Sequence, residues 1–396
     1  MKLREKILEL AEAYFSEALK HRKWLHQHPE SAFEEYQTSE YIAHFLEELG
    51  IEFEKGVAET GVVGILKGNL DGAKTIAIRA DMDALEIQEE NNIDYKSLNK
   101  GMMHACGHDA HMASLMGSIL ILSKLKDYFG GTIKLIFQPS EEKNPGGASV
   151  MIKEGVLKNP DVQSIFAQHV FPELASGKVG FRSGNYMAST DEIYLEVKAK
   201  GGHGGIPNKT VDTVLIASHI VVAMQQIVSR NNNPFTPSVL SFGRFIADGQ
   251  TNVIPASVKI SGTMRTFDEE WRTEMYLRIE KLAKGIAESM GGNCIVTISN
   301  GFPVVKNHDA MSQRFKYAAI ELLGKENVVD LDMRMTGEDF GFFTQKIPAC
   351  FYRLGTNGNT EETKSNLHTP RFNIDEESLK TGMALMSWLA LNELKS

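Results

Sequence analysis

AHMASLMGSILILSKLK (residues 110–126) and, four residues on, GTIKLIFQ (residues 131–138) are the pair of segments whose reading decides the fold. The first repeats its apolar residues at helical spacing, and the second is a short apolar run of the kind that forms a buried strand. Upstream lie two more β-rich runs bounded by Gly and Asp, GVVGILKG (61–68) and TIAIRAD (75–81), and downstream lies SIFAQHV (164–170). Thr38–Leu49 reads as a helix stopped by Gly50. This strand–helix–strand order predicts an α/β fold, a mixed but mostly parallel sheet with helices on both faces.

Further along, the pattern changes. DEIYLEVKAKG (191–201) alternates like a half-exposed strand, and Val211–Val228 reads as a helix. SVLSFGRFIA (238–247) and VIPASVKISGTMRTF (253–267) follow as strands, Glu269–Met290 as a helix and NCIVTIS (293–299) as a last strand. The order βαββαβ is ferredoxin-like and carries its own small core. Gly184 and Gly301 flank it, and helices near 308–323 and 375–394 resume the first pattern. The boundaries expected are 1–184 and 301–396 for one domain in two parts, with 185–300 inserted as a second.

With 396 residues the chain is too long for one ordinary core, which fits two domains. Hydrophobic residues at 42% and charged residues at 23% are those of a globular protein. A formal charge of −9 and a pI near 5.8 argue against a nucleic-acid partner. Three separated cysteines, Cys106, Cys294 and Cys350, make no disulfide framework and suit a reducing compartment. The charged N-terminal stretch reads as an amphipathic helix rather than a signal peptide, and the apolar run Val214–Met224 is short and broken by Ser218 and His219. A cytoplasmic protein without a membrane segment is expected.

Just ahead of the helix, HACGHDAHM (104–112) places Cys106, His104, His108 and His111 within eight residues of a chain with 3 Cys and 12 His. Cys106 alone would read as a small buried hydrophobe, but Cys and His converging around a flexible Gly107 offer transition-metal ligands. A helix N-terminus is expected to favour the thiolate. QPSEE (138–142) ends the strand GTIKLIFQ, so Glu141 and Glu142 fall at the carboxyl edge of the sheet, where ligands collect. One of two such carboxylates can bind a metal while the other moves a proton. His169, in QHVFPEL (168–174), ends another apolar strand, and His368, in NLHTPRF (366–372), lies in a polar loop.

Together with WLHQHPE, IAIRADMDALEI, GGHGGIP, TNVIP, GTMRTF and GEDFGFF, in this order along nearly the whole chain, these stretches resemble the M20 metallopeptidase family. The likeness is to its amidohydrolase branch, that of N-acyl-amino-acid amidohydrolases, hippurate hydrolases and auxin-conjugate hydrolases. The resemblance implies a zinc-exopeptidase-like catalytic domain in 1–184 and 301–396, a lid or dimerisation domain in 185–300, and two divalent transition-metal ions, of Zn, Mn, Co or Ni. It assigns Cys106, His108, Glu142, His169 and His368 as ligands, with Cys106 between the two ions, and Glu141 as the general base. Where the peptidase branches carry His-x-Asp this chain has Asp81-Met82-Asp83, which leaves Asp83 supporting the ligands rather than joining them.

In GGHGGIP (201–207), four glycines around His203 allow a mobile loop that approaches a ligand. The resemblance makes His203 a second catalytic residue, polarising the substrate carbonyl, often across a homodimer. Asn252 and Arg265 are candidates for substrate binding, Arg265 as a two-pronged anchor for a carboxylate or, equally, as a surface ion pair. The activity implied is hydrolysis of N-acyl (acetyl, benzoyl or similar) amino acids through a water held between the ions. A dipeptidase or carboxypeptidase acting on short peptides is the alternative, and a metal-free amidase with Cys106 as nucleophile is a further one.

Overall fold

The computed structural model describes residues 2–358, 360 and 363–396. It divides into two compact units, one made of residues up to Gly184 with Lys306–Asp332 and Asp339–Ser396, the other of Asn185–Val305 with Met333–Glu338. The second unit thus runs five residues past position 300 and takes back a six-residue segment, Met333–Glu338, that no periodicity marks.

Helices α1 (Leu3–Gln27) and α2 (Tyr36–Glu48) open the first unit. Its sheet contains β1 (Glu52–Val57), β2 (Gly61–Lys67), β3 (Leu70–Asp81), β4 (Gly130–Gln138), β5 (Ser164–Ala175), β6 (Val179–Phe181), β7 (Val328–Asp330) and β8 (Ala349–Asn357). These eight strands are ordered β1-β2-β4-β3-β5-β8-β6-β7. The central four, β4, β3, β5 and β8, are mutually parallel. Antiparallel pairing is confined to the flanks, where β2 meets β1 and β4, and β6 meets β8. The cause at the first edge is the short connection: residues 58–60 turn with Ala58 and Glu59 at positive φ, too few residues for a parallel crossover.

Helix α3 (His108–Lys124) makes the β3–β4 crossover, and every residue from His108 to Leu122 is buried. An all-round apolar helix of this kind belongs in the middle of a core. It lies between α1 and the C-terminal helix Ser378–Lys395 and rests on β3 and β5. Leu115, Met116, Ile119 and Ile121 are fully buried, each worth about 1.5–3 kcal/mol relative to exposure. A Cβ on Gly117 would stand 2.6 Å from Met383 Sδ and 3.3 Å from Ala18 Cβ, so this glycine sets how closely the three helices approach.

The second unit has a four-stranded antiparallel sheet, in the order Ser238–Ile246, Ser257–Thr266, Asp191–Lys198, Asn293–Asn300. With helices Thr213–Gln226 and Glu269–Ser289 this is the βαββαβ arrangement. Ile193, Leu195 and Val197 alternate into its core. Asp191 anchors the second helix by accepting from Arg272 Nη2 at 2.6 Å, Arg272 Nε at 2.9 Å and Tyr276 OH at 2.7 Å. The first helix continues through a π-helical turn, so Thr213–Asn231 is longer than the apolar run suggested. By length and composition alone that span could cross a membrane. Here it lays Ile216, Ala217, Ile220, Met224 and Ile227 into the core of its own unit.

Candidate metal centre

The carboxyl ends of the parallel strands gather the chemistry, as open α/β sheets do. β3 ends at Asp81 and leads to Asp83; β4 ends at Gln138 and leads to Glu141-Glu142; α3 starts at His108, directly after Gly107. Gly107 has φ +85°, and a Cβ there would lie 2.5 Å from Val170 Cγ2. His169 sits in the interior of β5 rather than at its end, opposite Arg353 of β8, because the parallel pairing with β8 runs on to Ala175.

Cys106 Sγ lies 3.4 Å from His169 Nε2 and 3.4 Å from His368 Nε2. His368 Nε2 is in turn 3.2 Å from Glu142 Oε1. Two groups of donor atoms emerge, Cys106 with His108 and His169, and Cys106 with Glu142 and His368, each with its atoms within 4.8 Å of one another. Cys106 is common to both. Further groups of the same compactness join His108 with Glu141 and Glu142, and His108 with Asp81 and His111.

The ring nitrogens are set for ligation. His108 Nδ1 donates to the Asp83 carbonyl at 2.8 Å, and its buried Nε2 has no hydrogen-bond partner among the described residues. His169 Nδ1 donates to the Val170 carbonyl at 2.7 Å, which leaves its Nε2 lone pair facing Cys106. This is the second-layer pattern that fixes tautomer and ring plane around a metal. His368 adopts φ +60°, a left-handed conformation that costs a non-glycine residue energy. His111 is different: Nδ1 meets Asp81 Oδ1 at 2.6 Å and Nε2 accepts the Val170 N–H at 2.9 Å, so both of its nitrogens are used.

Asp83 braces the acidic pair. Its Oδ1 accepts the Glu141 N–H and its Oδ2 the Glu142 N–H, both at 2.9 Å. Ser140, at φ +50°, turns the chain into this loop while its N–H reaches Glu35 Oε1 at 2.8 Å. Burial, with Asp83 nearby, pushes the Glu35 carboxyl up to about 7.

Electrostatics corrects one expectation. Burial, then Glu142, Glu141 and Asp81, push the Cys106 thiol well above its ordinary range, outweighing any helix-terminus effect. Burial also works against a charged His108, but Asp81, Asp83 and Glu142 overcome it and raise its pKa to about 10. Burial, Arg353 and His111 hold His169 far below its usual value, neutral and able to ligate. Carboxylates of Asp81, Asp83 and Glu142 thus face His108, and the donors (a thiol, three imidazoles and a carboxylate) suit divalent transition metals.

Sequence reasoning gave no role to the scaffold behind the ligands. Asp109 Oδ2 accepts from Arg22 Nε at 3.1 Å and pairs with His26 Nδ1 at 2.9 Å; His26 Nε2 meets Glu89 Oε1 at 3.1 Å. Burial resists ionisation of Asp109, yet Arg22 and His26 hold its carboxyl well below the carboxylate range. The spacing of Arg22 and His26 by one helical turn on the buried face of α1 was the available signal.

In the second unit, His203 is exposed and its Nδ1 accepts the Gly205 N–H at 2.9 Å. His203 pairs with Val253 in a two-residue ribbon, and the Gly204 N–H reaches the Asn252 carbonyl at 2.8 Å, so His203 and Asn252 come together. Arg265 lies elsewhere, half-buried on Ser257–Thr266 opposite Val239.

The model of peptidase family M20/M25/M40 matches residues 77–392. N-acetylcysteine deacetylase of Bacillus subtilis (strain 168) is 38% identical over 385 residues, spanning 97% of this chain and 98% of the relative. Thermostable carboxypeptidase 2 of Saccharolobus solfataricus is 36% identical over 374 residues, 93% of each chain. Among solved structures, the YXEP protein of Bacillus subtilis, a dinuclear metal binding peptidase from the M20 family, superposes with a TM-score of 0.84 at 34% identity, covering 97% of this chain and 99% of that one.

Proposed function

The chain belongs to peptidase family M20/M25/M40, and from that premise we propose that it is a metal-dependent hydrolase of N-acyl amino acids, releasing a carboxylic acid and a free amino acid. The coarser statement, a hydrolase acting on amides or peptides, follows from membership. The single observation that carries the proposal is Cys106 Sγ standing 3.4 Å from both His169 and His368, shared between two groups of donors beside the Glu141-Glu142 pair.

Two divalent cations, of Zn, Mn, Co or Ni, are assigned to Cys106, His108, Glu142, His169 and His368; the thiolate and imidazoles disfavour Mg and Ca. The dinuclear relative supports the pair. When bound, such ions polarise the amide carbonyl and acidify water nearby. The chain's own residues do the rest. Glu141, oriented by Asp83, takes a proton from the attacking water and delivers it to the leaving amine nitrogen. His203 donates to the carbonyl oxygen as it gains charge. Asn252 adds a hydrogen bond, and Arg265 receives the α-carboxylate of the amino-acid part.

The experiment is a hydrolysis screen with and without EDTA. Turnover of N-acetylmethionine or hippurate, abolished by chelation and restored by one of the four metals, supports the proposal. Turnover that survives EDTA would instead mark Cys106 as a nucleophile, a role its elevated pKa argues against. A second reading, hydrolysis of short peptides, is favoured by the carboxypeptidase relative and shows in the same screen as preference for dipeptides. The proposal includes a cytoplasmic homodimer without nucleic-acid or membrane partners. Three free cysteines and the net charge of −9 support that setting, and light scattering after gel filtration tests the dimer.

A further inference from the structure

Four side chains around the ends of β3 and β4 form a buried polar network that no ligand assignment requires. Arg79, Asp81, Gln138 and Asp339 are each at most 1% exposed. Arg79 donates through Nε to Gln138 Oε1 at 2.9 Å, through Nη1 to Asp81 Oδ2 at 2.7 Å and through Nη2 to Asp339 Oδ1 at 2.9 Å. Gln138 Nε2 reaches both Asp339 oxygens, at 2.9 and 2.8 Å, and the Ala148 N–H adds a bond to Asp339 Oδ2 at 2.9 Å. Burying such ions costs several kcal/mol each before their pairing is counted, and apolar residues of similar volume would often serve stability as well. A network kept at that cost fixes geometry.

What it fixes is visible at Asp339. The Asp339 carboxylate is held by Arg79, Gln138 and Ala148, and its backbone N–H donates to Glu141 Oε1 at 3.3 Å. A bond of this length orients more than it strengthens. Glu141 is therefore held at its own N–H by Asp83 and at one carboxylate oxygen by Asp339. The Arg79 guanidinium over the Phe340 ring, 6.0 Å from its centroid, secures the same segment. From Asp81 the network continues through His111 to the Val170 N–H, next to His169.

We propose that Asp339, locked by Arg79, is a positioning residue that sets which oxygen of Glu141 faces the substrate water. The idea rests on Glu141 being the general base. It separates Asp339, which acts through Glu141, from the ligands, which act through metal.

The test is a double-mutant cycle of Asp339→Asn and Glu141→Gln on the metal-loaded enzyme, with metal content, kcat and KM read on N-acetylmethionine or, if peptides are preferred, on the best dipeptide. Asp339→Asn should keep two metals per chain and a KM within about threefold, while kcat falls about 10- to 100-fold, the penalty of a misplaced catalytic group. Added to Glu141→Gln it should change the residual rate less than about twofold, because the group it positions is gone. An unchanged kcat, a loss of metal in proportion to activity, or an equal loss in the Glu141→Gln background would overturn the proposal. Should Asp339→Asn fail to fold, Arg79→Lys keeps the charge, loses the three-way fork and must show the same dependence on Glu141. Full turnover by Glu141→Gln alone would sink the base assignment itself; a dead Glu141→Gln with a normal Asp339→Asn would sink only the positioning.

Discussion

Cys106 Sγ and His169 Nε2 stand 3.4 Å apart although 63 residues separate them in the chain. The first lies in the turn before α3 and the second within β5, so their meeting is a product of the sheet and not of local sequence. Because Cys106 belongs to both donor groups, Cys106→Ala should lower metal content at both positions, read by elemental analysis, and cut turnover by at least about 100-fold, the upper cost of losing even an outer-layer partner. Two metals retained in that variant would refute the shared role.

Glu141→Gln tests the base. It keeps the size of the side chain and should leave metal binding intact while kcat falls about 1000-fold, within the range of general-base catalysis. Equal loss of metal and activity would move Glu141 from proton transfer to ligation.

His203→Ala addresses the carbonyl. Metal content and melting temperature should stay unchanged, since the side chain is exposed. Turnover should drop about 100-fold, the cost of one oxyanion donor. Wild-type kcat in that variant would remove His203 from catalysis.

At Gly107, φ +85° and the 2.5 Å approach of a notional Cβ to Val170 Cγ2 leave no room for alanine. Gly107→Ala should cost about 1–3 kcal/mol of backbone strain, more with the contact, and weaken metal binding because Cys106 and His108 lie on either side. Differential scanning calorimetry with and without added metal measures both effects.

Much of this site could be read in the sequence, and the boundary of what could is physical. Cys106, His108, Glu142, His169 and His368 each say little alone, and they were assigned as ligands only through the resemblance that the motifs make when read in order. Parallel central strands were legible from β3, α3 and β4, whose periodicities are unambiguous. The antiparallel flanks were not, since direction depends on the length of a turn at residues 58–60. Arg79, Gln138 and Asp339 fall in quoted stretches, and Asp339 in GEDFGFF is placed near the metal region by analogy, but their bonding to one another was not legible because Gln138 and Asp339 lie 59 and 260 residues from Arg79. The extension of β5 past His169 escaped notice because its pairing with β8 decides where it ends.

The pH response of stability has a source remote from the metal. Burial, helped by Lys20, lowers the His21 pKa to about 4, and its Nδ1 pairs with Tyr41 OH at 2.8 Å. The folded value lies below the unfolded one, near 6.5, so the unfolded chain takes up the proton first as pH falls. Stability is full above about pH 6.5 and is lost toward pH 4, by about 3 kcal/mol at 1.36 kcal/mol per unit. His21→Gln keeps a hydrogen-bonding partner for Tyr41 and should flatten that part of the profile. Urea unfolding of both proteins at pH 7 and pH 4.5, under one metal condition, gives the difference; parallel profiles would contradict it.

The place of β8 has a consequence for biosynthesis. Residues 349–357 fill the gap between β5 and β6, in the interior of the eight-stranded sheet. As the ribosome extends the chain, the strands and helices of residues 191–300 emerge together and can collapse early, whereas the first-begun sheet must wait with the flank of β5 uncovered. An exposed parallel edge is prone to sticking to other chains, so truncation or stalling before residue 349 should yield aggregates rather than a smaller enzyme. His368 leaves the ribosome later still, so the donor group it forms with Cys106 and Glu142 is among the last parts of the fold to be completed.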